Sequence, residues 1–120
     1  MPYVNYIEFN VPDSKQAAEF FKQVFGWDAQ GWGEGDYMVV SHGEEPGIDT
    51  GIDKMQEDDR PSAVPVVTVE SVDKAVKDVE AAGGKIVVPK MAIPGMGYAA
   101  YFTTPGGLLM SVNEGEEAAA

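Results

Sequence analysis

"NYIEFNVPDSKQAAEFFKQVFGWD", residues 5–28, carries two periodicities back to back. From Asn5 to Val11 apolar and polar residues alternate. Ile7, Phe9 and Val11 share one parity; Tyr6, Glu8 and Asn10 share the other. Successive side chains of a strand point to opposite faces, so this piece reads as a strand with one apolar and one polar face. At Asp13 the period changes. Ala17, Phe20, Phe21 and Val24 follow the i, i+3, i+4, i+7 spacing of a helix buried on one side. Asp13 suits the N-cap, with Gln16 three residues on, and Gly26 suits a left-handed C-terminal residue. The helical spacing predicts Phe20, Phe21 and Phe25 in the core, with Trp27 packed across the helix end.

The same pattern returns later. "AVPVVTVES", residues 63–71, reads as a strand, and "SVDKAVKDVEAAGGK" from Ser71 reads as a helix. Its N-cap is Ser71, its buried face Val72, Ala75, Val76 and Val79, and its stop Gly83–Gly84. Superposing Gly84 on Gly26 puts Val69 on Val11, Ser71 on Asp13 and Ala75 on Ala17. Val64, Val66 and Thr68 then fall on Tyr6, Glu8 and Asn10. Three short strand candidates follow each helix: about 28–31, 36–42 and 47–54 in the first half, and 85–90, 97–104 and 107–114 in the second. The charged segment "MQEDDRPS", residues 55–62, reads as a linker. The expectation is an α+β chain of tandem βαβββ modules, residues 1–57 and 58–116, with a frayed tail at 117–120. One helix covers one face of a four-stranded sheet. The uncovered faces are expected to curl around a cleft, which Tyr6, Glu8 and Asn10 would face, with one helix per module on the outside.

The bulk composition limits the functions. At 120 residues and 44% hydrophobic content the chain suits one compact domain. It has no cysteine, hence no disulfide, thiolate metal site or cysteine nucleophile. Net charge is −12; residues 1–60 hold 13 acids and 4 bases, residues 61–120 hold 7 and 4. Such a surface repels phosphate backbones and anionic lipid, and favours cationic ligands. No signal peptide and no apolar run near the roughly 20 residues of a membrane span are read here, so a cytoplasmic protein is expected.

Order, length and motifs together resemble the vicinal oxygen chelate superfamily of glyoxalases, bleomycin-resistance proteins and extradiol dioxygenases. "YIEFNVPD" leading into "AAEFFKQVFGWD" carries the likeness in the first half. "AAGGKIVVP", "IPGMG" and "TPGGLLMSV" carry it in the second and look like a bacterial glyoxalase-like subgroup. The resemblance implies fold more than reaction. Metal-dependent members place a histidine where this chain has Tyr6, another where it has Val64, and a glutamate where it has Ser111. The remaining ligand falls near Thr50 to Asp53. A phenol, an aliphatic group and a hydroxyl are poor partners for a divalent metal. No cofactor is therefore expected, with Zn, Ni, Fe or Mn left open at an atypical site that includes Asp53.

Glu8 is the candidate catalytic or cation-binding group, since an acid recurs at this strand position in the subgroup. Tyr6, Asn10, Trp32, Tyr37, Asp53, Thr68, Tyr101 and Ser111 complete the expected ligand-binding set. Trp32, in the Gly-rich "QGWGEGD", suits a pocket wall or lid, or else a loop anchor or dimer contact. Asn10 and Thr68 could orient a ligand or bond each other. Asp49 shares parity with Asp53 and could add charge. His42, the one histidine, is a strand-end residue or a general base. These residues point to a protein that binds a small, cationic or aromatic molecule without the usual metal. A lyase, isomerase, hydrolase or dioxygenase using Glu8 or an atypical metal is the second reading. An interaction subunit with a vestigial cleft is the third. The resemblance also implies a homodimer.

Overall fold

The computed structural model describes residues 1–115; the expected frayed tail lies outside the described residues. Among the described residues the fold is α+β: two helices and eight strands in mixed sheet, laid out as two βαβββ repeats. By contacts it separates into two compact units, Tyr6–Val64 and Met1–Asn5 with the chain from Pro65 onward.

The first unit contains most of β1 (Tyr3–Val11), α1 (Ser14–Phe25), β2 (Ala29–Gly31), β3 (Met38–Val40) and β4 (Asp49–Lys54). Its strand order is β2-β3-β4-β1, with β1 parallel to β4 and the other pairs antiparallel. Asp13 caps α1 as expected, its carboxylate accepting the Gln16 N–H at 3.0 Å. Gly26 ends it at φ 73, a left-handed conformation that a Cβ would oppose. Ala18 on the inner side of α1 packs with Val40 and Ile52 of the sheet, and Phe9, Val11, Phe21 and Trp27 pack around them. Phe21 is the hub, with ring centroids 5.7 Å from Phe9 and 5.3 Å from Trp27. A buried side chain such as Ile52 contributes about 1.5–3 kcal/mol by leaving water.

The helical stripe differs from the expected one. Phe20 and Phe25 are more than half exposed, and so is Val24. The side facing the core is centred on Ser14, Ala18 and Phe21. Helix α1 carries two adjacent apolar stripes, and small Ala18 lets it sit close to β4. Phe20 and Val24 are thereby turned toward the flank. Phe25 keeps one side on Trp27, centroids 5.1 Å apart, and leaves the other open.

The second unit repeats the plan with most of β5 (Ser62–Thr68), α2 (Val72–Ala81), β6 (Lys85–Ile93), β7 (Gly97–Thr103) and β8 (Leu109–Glu114). Its order is β6-β7-β8-β5, with β5 parallel to β8. Val72, Ala75, Val76 and Val79 pack against Ala100, Phe102 and Val112, as their spacing predicts. Ser71 caps α2, accepting the Lys74 N–H at 3.1 Å. The nearly buried Glu114 carboxylate accepts the Val72 N–H at 2.9 Å, so β8 satisfies a second free donor of the first turn.

Candidate functional site

Strand register assembles the candidate site. In β1 and β4, Tyr6 is opposite Asp49, Glu8 opposite Gly51 and Asn10 opposite Asp53. Alternation then puts these six residues on the face away from α1, because Phe9, Val11 and Ile52 lie under the helix. Tyr37, just before β3, joins them. Its hydroxyl is 2.6 Å from the Tyr6 hydroxyl and donates to Glu8 Oε2 at 3.3 Å. Either phenol can donate across the short bond, and the three side chains form one connected polar group.

Gly51 makes this possible. A Cβ at that position would overlap both tyrosine hydroxyls. A glycine inside a strand often marks such a close approach. Tyr37 is held from behind by two contacts. The Trp32 N–H donates to the Tyr37 carbonyl at 3.0 Å, and the Trp32 ring stands edge-on to Tyr37 at 6.0 Å. Ser14, 2% exposed at the start of α1, donates its hydroxyl to the Asp36 carbonyl at 2.5 Å. That bond ties the residue before Tyr37 to the helix.

The electrostatics follow from this geometry. Burial pushes the Tyr6 phenol above its ordinary pKa of 10.0. The Tyr37 hydrogen bond works the other way, and the Glu8, Asp49 and Asp53 carboxylates raise it further. Tyr6 is therefore a neutral phenol at physiological pH. Absorbance titration of the phenols should show a late step above pH 10 that is missing from Tyr6→Phe. In the unfolded chain Tyr6 loses its proton first, so its contribution to stability is complete below about pH 10 and falls as pH rises through the folded pKa. A Tyr6→Phe titration identical to the parent would contradict this placement.

The other expected residues are placed as follows. Asp53 shares the face, and its Oδ1 accepts the Lys54 N–H at 2.9 Å. Asp49 Oδ1 accepts the His42 N–H at 2.9 Å. The His42 ring stands edge-on to Trp27 at 6.0 Å, and a Cβ at Gly47 would press on it. It packs the end of the first unit's core. An open depression of about 650 Å³ lies at the ends of β1 and β4, lined by Pro12, Asp36, Asp53, Lys54 and Glu57 among others. Of the expected set it touches Asp53 alone. In the second unit Tyr101 is opposite Ser111, which is opposite Val66, on the face away from α2. Ser111 is buried and donates to the Ala100 carbonyl at 3.1 Å. Thr68 donates to Asn5 Oδ1 at 2.7 Å, so Asn5 takes the partner role foreseen for Asn10. Gly51 and Ser14 were not foreseen. Glycine inside "DTGIDK" is a signal for the first, whereas nothing local marks Ser14.

A family model described as the Glyoxalase/Bleomycin resistance protein/Dioxygenase superfamily matches residues 3–112. The chain belongs to this superfamily. Among solved structures, the Mn(II)-bound glyoxalase from Novosphingobium aromaticivorans is 25% identical at a TM-score of 0.68. The match covers 92% of this chain and 38% of that one, so the chain spans well under half of that glyoxalase. Methylmalonyl-CoA epimerase from Mycobacterium tuberculosis is 16% identical at TM-score 0.72, over 98% of this chain and 91% of that chain. A superfamily member from Vibrio splendidus 12B01 is 16% identical at TM-score 0.68, over 95% and 99%. Those two show the fold alone. No curated protein matches the sequence significantly.

The superfamily implies a divalent metal, and the residues at its positions in this glyoxalase-superfamily chain do not fit one. The Tyr6 phenol bonds Tyr37, Val64 is hydrocarbon and 1% exposed, and the Ser111 hydroxyl is given to a sheet carbonyl. Among the described residues no three His, Cys, Asp or Glu side chains are grouped to hold an ion. Such metals want imidazole and carboxylate. Among the described residues no helix is long and apolar enough to cross a membrane.

Proposed function

We propose that this superfamily member binds a small cationic or aromatic molecule on the Tyr6–Tyr37–Glu8 face, without the family's usual metal. One observation carries the reading. The residue at the position of a metal-ligating histidine is a phenol, engaged in a hydrogen-bond chain that ends on a carboxylate. Negative charge from Glu8, Asp49 and Asp53 surrounds Tyr6 and favours a cation there. The Tyr37 and Trp32 rings, edge to face, offer aromatic surface beside it. We further propose a cytoplasmic homodimer whose partner is the small molecule rather than nucleic acid or membrane. These parts rest on composition and family resemblance.

The test is calorimetric titration with two cations, benzylammonium and benzyltrimethylammonium, against benzoate. Both cations should bind and benzoate should not. Glu8→Gln keeps an acceptor for Tyr37 but removes the charge. It should weaken both cations roughly tenfold, about 1.4 kcal/mol, in line with a charge-assisted contact. Unchanged affinity in Glu8→Gln would sink the role of Glu8.

A second reading is favoured by the likeness to the Mn(II)-bound glyoxalase. In it the chain is a lyase, isomerase or dioxygenase with Glu8 as general base or an atypical metal site. Stoichiometric metal in protein purified without chelator would favour it over the first.

A further inference from the structure

Resting on the homodimer proposed above, we infer that the two copies meet through the C-terminal half of α1. Phe20 and Val24 form the centre of the contact and Phe25 its edge, with the two helices antiparallel about a two-fold axis.

The halves of α1 are seated differently. Ser14 and Ala18, in the first half, are buried. The second half leaves Phe20, Val24 and Phe25 each more than half exposed. The Phe21 ring joins them, with centroids 6.0 Å from Phe20 and 6.4 Å from Phe25. These side chains form one continuous apolar patch over the last two turns. The three exposed ones offer roughly 300 Å², the size at which a patch on a monomer is often functional. An interface of standard size takes about 800 Å² from each partner. The patch suffices for its apolar centre, with polar surface around it.

Charge selects a second copy as the occupant. Two chains of net charge −12 repel each other over most of their surface. Helix α1 departs from that balance. It holds Lys15, Lys22 and Glu19, whereas the rest of residues 1–60 holds 12 acids and two bases. By helical geometry Gln16 and Gln23 border Phe20 and Val24, and the three charged residues project to the other side of the helix. Glu19 is bonded by its own Gln23 at 3.1 Å. An aromatic patch free of charge, rimmed by amides, has the composition of an interface core. A two-fold axis between Phe20 and Val24 sets Phe20 of one copy against Val24 of the other. It also brings the two Gln23 side by side and closes the assembly at two.

Sedimentation equilibrium of the full chain, from micromolar to submillimolar concentration, reads the association. The parent should be a dimer in the upper part of that range. Phe20→Glu and Val24→Lys should each weaken dimerisation about tenfold or more. An equimolar mixture of the two variants should dimerise more tightly than either alone, because the introduced charges then face each other. General loosening gives no such recovery. Leu108→Glu, similarly exposed but in the second unit, should leave the dimer unchanged. A dimer that both α1 variants leave as tight as the parent, or a mixture no tighter than its components, overturns the placement and keeps the homodimer reading. A monomeric parent, or assembly beyond two copies, overturns both.

Discussion

Gly51→Ala is expected to break the Tyr6–Tyr37 bond and to remove cation binding, with a loss of stability of about 1–3 kcal/mol. Gly51 does not have the left-handed backbone that reserves a position for glycine. The whole effect therefore comes from one methyl group, which would overlap both phenol oxygens and lie 2.6 Å from the Tyr37 ring carbon that bears its hydroxyl. Two tyrosines must turn away together, because each holds the other. Thermal melting and phenol titration read the result. The late ionisation of Tyr6 should shift toward the ordinary range as its ring becomes exposed. Benzylammonium affinity should fall more than tenfold. In a Tyr6→Phe background Gly51→Ala should cost less, since one overlapping oxygen has gone. Additive costs would show that the hydroxyls do not meet over Gly51.

Gly97→Ala is expected to be the most destabilising alanine substitution in the second unit. Gly97 has φ 102, which L side chains rarely adopt, and a Cβ there would run into the Glu114 backbone carbonyl. Backbone cannot rotate aside as a side chain can. Moving Glu114 also disturbs its carboxylate, which holds the Val72 N–H at the start of α2. Strain and overlap together should cost about 3 kcal/mol or more. For a chain of this size that lowers Tm by about 10 °C or more. Gly95→Ala is the control. Gly95 also has a positive φ of 76, but its Cβ would meet nothing within 4 Å. It should lose about 1 kcal/mol. Equal losses at the two positions would mean that the Gly97–Glu114 contact contributes nothing.

What the sequence discloses depends on how local each cause is. The β1 parity, the Asp13 and Ser71 caps and the Gly26 stop are written within a few residues, and the structure has each of them. The repeat converts those local signals into a fold, because two copies of one strand–helix–strand pattern fold to the same strand order. Features that need a partner far along the chain are hidden. Gly51 becomes a cradle only when β1 lies parallel to β4 in the register that brings it beside Glu8. Ser14 matters because Asp36, 22 residues later, returns to it. The rotation of α1 is not written in the spacing: Ala17, Phe20, Phe21 and Val24 form one apolar stripe, yet Ala17 and Phe21 pack on the core while Phe20 and Val24 are exposed. Thr68 and Asn10 occupy matching repeat positions, but Thr68 bonds Asn5.

A crystal structure of protein purified without chelator and grown with benzylammonium tests the central claim most directly. The ammonium nitrogen should lie within about 3 Å of a Glu8 carboxylate oxygen, on the face that carries Tyr6 and Tyr37, with the Tyr6–Tyr37 bond intact. A divalent ion coordinated by Glu8 or Asp53, or the cation seated away from Tyr6, would contradict it.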